Sequence, residues 1–258
     1  MLWEPERTRY DLSFRLFRFP VRVHPWFWVL SLLLYGDDGL RAHGLLGLVI
    51  WVVVVFVSII VHELGHALAF RWFGTDSHIV LHAFGGLAIP WSRVDGRWRR
   101  IIISLAGPAA GFILLAVVYY SNHFFRWAGP NEPLLLLYVY LYVVNLYWGI
   151  FNLLPIFPLD GGQVCKEVCG AIWPRNGERI ALEISIVAAG LGAFYCLATA
   201  FGDRNGWLDF LPWWFPHGSI WTAVLFALLA VYSYQALQQV HWTESHWDDS
   251  DDRPPWRR

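Results

Sequence analysis

From Leu45 to Phe70 the chain carries only four polar side chains, Ser58, His62, Glu63 and His66. As one helix this stretch would be about 39 Å long, more than the roughly 30 Å of a bilayer's hydrocarbon core. The whole sequence is 57% hydrophobic and 15% charged, with 17 Trp and a mean hydropathy of +0.42. Those values lie far from a soluble average and predict a multi-spanning membrane protein. A net charge of −1 leaves no cationic excess to neutralise phosphates, which argues against nucleic acid as a partner.

The polar residues in this apolar stretch form the pattern His62-Glu63-Leu64-Gly65-His66. Histidines four apart on a helix project from one face and can reach a single metal ion. An ionisable group within a span costs roughly 2.5 to 3.5 kcal/mol on insertion scales, so three together mark function. In an H-E-x-x-H arrangement the histidines hold Zn2+ and the glutamate acts as general base for the attacking water. Arg71 follows His66 closely and can snorkel to the interface, which puts the motif near one end of its span.

Five further apolar segments bring the expected spans to six: Val21 to Tyr35, Ile101 to Tyr120, Leu134 to Leu154, Ile180 to Phe201 and Ser219 to Leu237. The first is short and reads as a tilted or partly interfacial span. Between the second and third, short β-rich runs on either side of Gly85-Gly86 predict a hairpin or bulged ribbon. His78 and His82 fall on its strands, where a spacing of four does not bring two side chains together. The small-residue run Ala106-Gly107-Pro108-Ala109-Ala110-Gly111 predicts close packing of the third span against the metal-bearing helix. Asn145 and Asn152 share a face of the fourth, where both can donate hydrogen bonds inside the bundle.

Pro155 and Pro158 end that span ahead of Leu159-Asp160-Gly161-Gly162. In isolation Asp160 reads as the N-cap of a helix starting near Gly161. Catalytic zinc usually takes three protein ligands plus water, and Asp160, on the same predicted side and at similar depth, is the best candidate for the third.

With six spans, all of the 19 Lys and Arg except Arg41, Arg126 and Arg204 share one side. The positive-inside rule makes that side cytoplasmic, together with both termini and the metal motif. Trp207, Trp213 and Trp214 suit the membrane interface between the last two spans. The amino-terminal segment has no apolar h-region ahead of a cleavage site, so a cleavable signal peptide is not expected. Cys165, Cys169 and Cys196 are expected as free thiols. Residues 1–258 read as a single membrane-embedded domain with a core at about 45–170 and a flexible acidic tail at about 241–258.

The H-E-L-G-H of a membrane span followed by N-L-L-P-I-F-P-L-D-G-G resembles the site-2 protease family of intramembrane zinc metalloproteases, in a minimal form without PDZ or CBS domains. The resemblance covers about residues 45–170. It implies His62, His66 and Asp160 as zinc ligands, Glu63 as the catalytic base and Asn152 as a residue that handles substrate. Gly111 departs from the pattern, because relatives often carry asparagine there. The implied activity is regulated intramembrane proteolysis of transmembrane proteins near the cytoplasmic face of the cell membrane. A strand edge at Gly85 and Gly86 could hold an unwound substrate by β-addition.

Other readings stay open at this point. A different H-E-x-x-H membrane metalloprotease would recruit Glu167 or Glu183 as third ligand, and a non-catalytic binder of the same fold has no need of Glu63. A transporter is a further alternative, since buried ionisable residues also mark ion paths. The substrate, a regulatory membrane partner and the oligomeric state are not legible.

Overall fold

The computed structural model describes residues 4–83, 85–202 and 220–249. It forms two compact units, residues 1–153 and 154–258, taken here in turn.

The first unit begins with a hairpin the sequence reading did not anticipate, β1 (Leu12–Leu16) and β2 (Phe19–Val23). The expected ribbon is present as β3 (Ser77–His82) and β4 (Gly85–Pro90). These are not separate pieces. β2 pairs in parallel with β3, giving one four-stranded sheet in the order β1-β2-β3-β4. Phe19, Val21, Val23, Ile79 and Leu81 on its inner face are buried against Val55, Ile59 and Ile60. Each such side chain contributes roughly 1.5 to 3 kcal/mol on burial. Pro20 lies opposite Arg15, just before the β2–β3 ladder begins at Val21, so its missing N–H leaves that ladder intact.

Between β2 and β3 runs α1 (Pro25–Trp72), whose backbone leaves the helical region at Gly36 and Gly44 with φ of 67° and 59°. Glycine tolerates this left-handed geometry, and here it folds the segment into two arms. Trp28 stacks on Phe56 at 5.3 Å, and the Trp51 indole N–H donates to the Ser31 carbonyl at 2.9 Å, so the arms lie side by side. The second arm, Gly39–Trp72, is long and apolar enough to cross a membrane, as are Arg97–Phe125, Glu132–Asn152, Gly177–Phe201 and Ile220–Val240. The first arm, Pro25–Gly36, is apolar but only about 18 Å long. Among the described residues five helices therefore qualify as spans, where six were expected. The sheet still places the chain before α1 and the chain after it at the same end, because strands on either side of α1 are bonded neighbours.

Two more helices complete this unit, α2 (Arg97–Phe125) and α3 (Glu132–Asn152). As expected from its small residues, α2 packs closely on α1. A Cβ added at Gly65 would lie 2.8 Å from the Ala110 Cβ and would strike the Ala106 carbonyl.

The second unit holds α4 (Asp160–Ile172), α5 (Gly177–Gly202) and α6 (Ile220–Asp249). The segment leading into α4 is gripped from both longer helices. Ser185 of α5 accepts from the Phe157 N–H at 3.1 Å, and Ser233 of α6 donates to the Phe157 carbonyl at 2.9 Å. Ser185 in turn donates to the Ala181 carbonyl one turn back, while the Leu229 carbonyl, also 2.9 Å from the Ser233 oxygen, shares that hydroxyl's single proton with Phe157. Asp160 is the first residue of α4 and Leu159 its N-cap, so the N-cap reading of Asp160 is corrected. The tail expected from residue 241 is helical as far as Asp249. Trp207, Trp213 and Trp214 lie outside the described residues.

Candidate metal centre

His62, Glu63 and His66 lie on the last third of α1 and are 3%, 4% and 7% exposed. One ligand atom from each falls within 4.8 Å of the others, and no further group of this kind occurs among the described residues. The Nε2 atoms of His62 and His66 are 3.3 Å apart. Two nitrogens bound to one zinc at 2.0 to 2.1 Å with tetrahedral angles stand about 3.3 Å apart, so the pair fits that ion.

A backbone group fixes the tautomer. His66 Nδ1 lies 2.7 Å from the Ile103 carbonyl, which can only accept, so Nδ1 carries the proton and Nε2 presents its lone pair toward His62. Ile103 precedes Pro108 in α2, and because that proline lacks an N–H it is the neighbouring Ser104 carbonyl that loses its helical donor. In the same turn the Gly107 backbone lies flat against the imidazole. A Cβ at Gly107 would fall within 2.7 Å of three atoms of the His66 ring.

The ribbon closes over the other side of the motif. A Cβ at Gly86 would fall within 2.6 Å of three atoms of the Glu63 side chain, and one at Gly85 would lie 2.8 Å from the Trp148 ring. Trp148 in turn meets His62 edge to face, with centroids 6.3 Å apart. Its indole N–H is buried with no hydrogen-bond partner among the described residues. Among the described residues β4 is an edge strand that pairs with β3 alone, next to this cluster.

Asn145 joins α3 to α1, its Nδ2 donating to the Ser58 hydroxyl at 2.9 Å one turn before His62. Asn152 is buried, and its Nδ2 donates to the Trp148 carbonyl at 2.9 Å within α3. Both therefore donate hydrogen bonds as expected, Asn145 to a neighbouring helix and Asn152 within its own. His78 faces Glu4 at 3.5 Å. Burial, then the nearby His24 and Arg22, push His82 below the ordinary histidine value. Cys165 and Cys169 are free thiols 3.9 Å apart. Burial raises Cys165 to about 11, with Cys169 adding to it. Asp160 is half-buried at the start of α4 in the second unit.

Sequence reasoning missed Ile103, Gly107 and Trp148. The small-residue run around Gly107 was visible, but its contact with a metal-binding ring was not.

The sequence matches the family model of peptidase family M50 over residues 50–132 and 128–192. It is 33% identical over 220 residues to a Synechocystis sp. protein whose name assigns it provisionally to the zinc metalloproteases, covering 81% of this chain and 55% of that one. It is 31% identical over 164 residues to a protein of Methanocaldococcus jannaschii named zinc metalloprotease, covering 61% and 46%. The chain thus spans about half the length of the curated relatives it matches. Among solved structures, the site-2 protease from Methanocaldococcus jannaschii shares the fold, with a TM-score of 0.57 and 24% identity over 88% of this chain and 94% of that one.

Proposed function

Since this integral membrane protein belongs to peptidase family M50, we propose that it is a zinc-dependent intramembrane endopeptidase that cuts transmembrane segments of membrane proteins near the cytoplasmic face. The observation that carries the reading is the buried His62–Glu63–His66 group with its two Nε2 atoms at tetrahedral-zinc spacing.

His62 and His66 would hold the ion, with Asp160 as third ligand. Support for Asp160 comes from its L-D-G-G setting and from the two serines that fix the segment just before it. Zinc bound there supplies a polarised scissile carbonyl and a water whose pKa falls toward roughly 7. Glu63 accepts the proton from the attacking water and returns it to the leaving amine. Burial of Glu63 beneath Gly86 limits competing solvent at the carboxylate. A transmembrane helix hides its carbonyls in its own hydrogen bonds and must unwind before attack. The edge strand β4 offers backbone groups to such an extended segment, with Gly85 and Gly86 permitting close approach to Glu63, and Asn152 handles substrate beside them.

The proposed orientation rests on charge. The β2–β3 pairing gathers the arginines of residues 7–22 with those of 71–100 at one end of α1, and the positive-inside rule makes that end cytoplasmic. Both ends of the chain are then cytoplasmic and the host is the cell membrane. A regulatory membrane partner is compatible with this arrangement.

The test is co-expression of the wild type or Glu63→Gln with a library of single-span membrane proteins, combined with zinc analysis of both purified proteins. The wild type should shorten a subset of the library, and Glu63→Gln should hold about one zinc and shorten none. Undiminished cleavage by zinc-loaded Glu63→Gln would refute the assignment.

A further inference from the structure

At the end of the sheet away from Gly85 and Gly86, a cavity of about 340 Å³ opens between the β1–β2 turn, the start of β3 and the last turn of α1. Arg15, Arg18, Arg71, Asp76, Ser77 and Trp91 line it. Three guanidinium groups thus face one carboxylate. Asp76 is engaged by Arg71 at 3.3 Å, whereas Arg15 and Arg18 make no ion pair among the described residues. Arg71 is further held by the Phe17 carbonyl at 3.4 Å and over the Phe19 ring at 3.9 Å.

The two guanidiniums unpaired among the described residues and the turn that carries one of them point to a ligand. The β1–β2 turn is built from Phe17 and Arg18 with φ of 46° and 75°. Glycine or asparagine would occupy such a turn with less strain, so these side chains are kept where the backbone disfavours them.

The surroundings identify the chemistry. Trp91, Trp72 and Phe17 are 67%, 87% and 73% exposed, as aromatic residues are at headgroup depth. Guanidinium forks match phosphate oxygens bidentately. We propose that this cavity binds the phosphate group of an anionic phospholipid at the membrane surface. It rests on the geometry of the sheet and not on the protease reading. Arg71 is five residues beyond His66 on the same helix, so an occupied cavity would brace the end of the metal-bearing arm.

The full chain is reconstituted in nanodiscs of phosphatidylglycerol and phosphatidylcholine, released with its bound lipid, and read by native mass spectrometry. The wild type should retain phosphatidylglycerol over phosphatidylcholine, and Arg15→Gln/Arg18→Gln should lose that preference by about tenfold or more. Arg97→Gln/Arg99→Gln, which removes the same charge outside the cavity, should keep it. A parallel arm adds inorganic phosphate. Failure of phosphate to displace the lipid supports a headgroup site, while phosphate binding alone with the same dependence on Arg15 and Arg18 overturns the lipid as ligand. Equal retention of both lipids by the wild type, or an equal loss in the two double variants, overturns the site.

Discussion

Gly107→Ala is expected to strip the centre of its metal while leaving the fold intact. The new Cβ would lie within 2.7 Å of three atoms of the His66 ring. Carbon atoms rest about 3.5 to 4.0 Å apart, so the ring, met first at Nε2, must withdraw by roughly 1 Å or more. Its Nδ1 is anchored to the Ile103 carbonyl at 2.7 Å, so withdrawal breaks that bond or carries Nε2 off its spacing from His62. Metal sites tolerate about 0.2 Å of ligand displacement, well under what the methyl imposes. Misplacement by about 1 Å at a reacting centre costs on the order of a hundredfold in rate. Helix propensity runs the other way, because alanine is favoured over glycine by about 1 kcal/mol within a helix. Zinc per protein, measured by mass spectrometry of the purified chain, should fall well below one while circular dichroism holds. Gly86→Ala provides the contrast: its Cβ meets Glu63 and not an imidazole, so zinc should stay and turnover fall. Full zinc occupancy with turnover within about twofold of wild type in Gly107→Ala would refute the packing argument.

Asp160→Ala should abolish metal-dependent cleavage and lower zinc affinity, whereas Glu167→Gln and Glu183→Gln should leave both near wild type; isothermal titration with zinc separates them. His82 is held below its ordinary value near 6.5, so the fold favours the neutral ring. The stability it contributes is full above that value and lost as pH falls through the lower folded one. The melting temperature of the wild type should therefore fall with pH in that window more steeply than that of His82→Gln. Asn145→Leu removes the bond to Ser58 and should cost about 1 kcal/mol of helix association, read as a lower melting temperature.

The metal-bearing helix was legible because H-E-x-x-H is local, and so was the ribbon, whose two runs are joined by a short turn. The amino-terminal strands also left a signal, with Leu12, Phe14 and Leu16 alternating with polar residues and Phe19, Val21 and Val23 doing the same. Interspersed arginines and Pro20 obscured it. No local pattern could give the parallel pairing of Val21 with Ile79, since that register is set by how α1 folds back at Gly36 and Gly44. The bond that orients His66 was equally hidden, because its partner is a backbone carbonyl that every residue possesses. The first arm accounts for the difference between six expected spans and the five among the described residues: the sequence already showed it to be short and apolar, and the glycine break at Gly36 keeps it below spanning length.

The grip of Ser185 and Ser233 on Phe157 gives this protein an order of assembly. The segment carrying Asp160 is made before either serine, and its N–H and carbonyl are held only when both α5 and α6 have been synthesised and inserted. α6, the later of the two in the chain, is thus the helix that completes the hold on the loop ahead of α4.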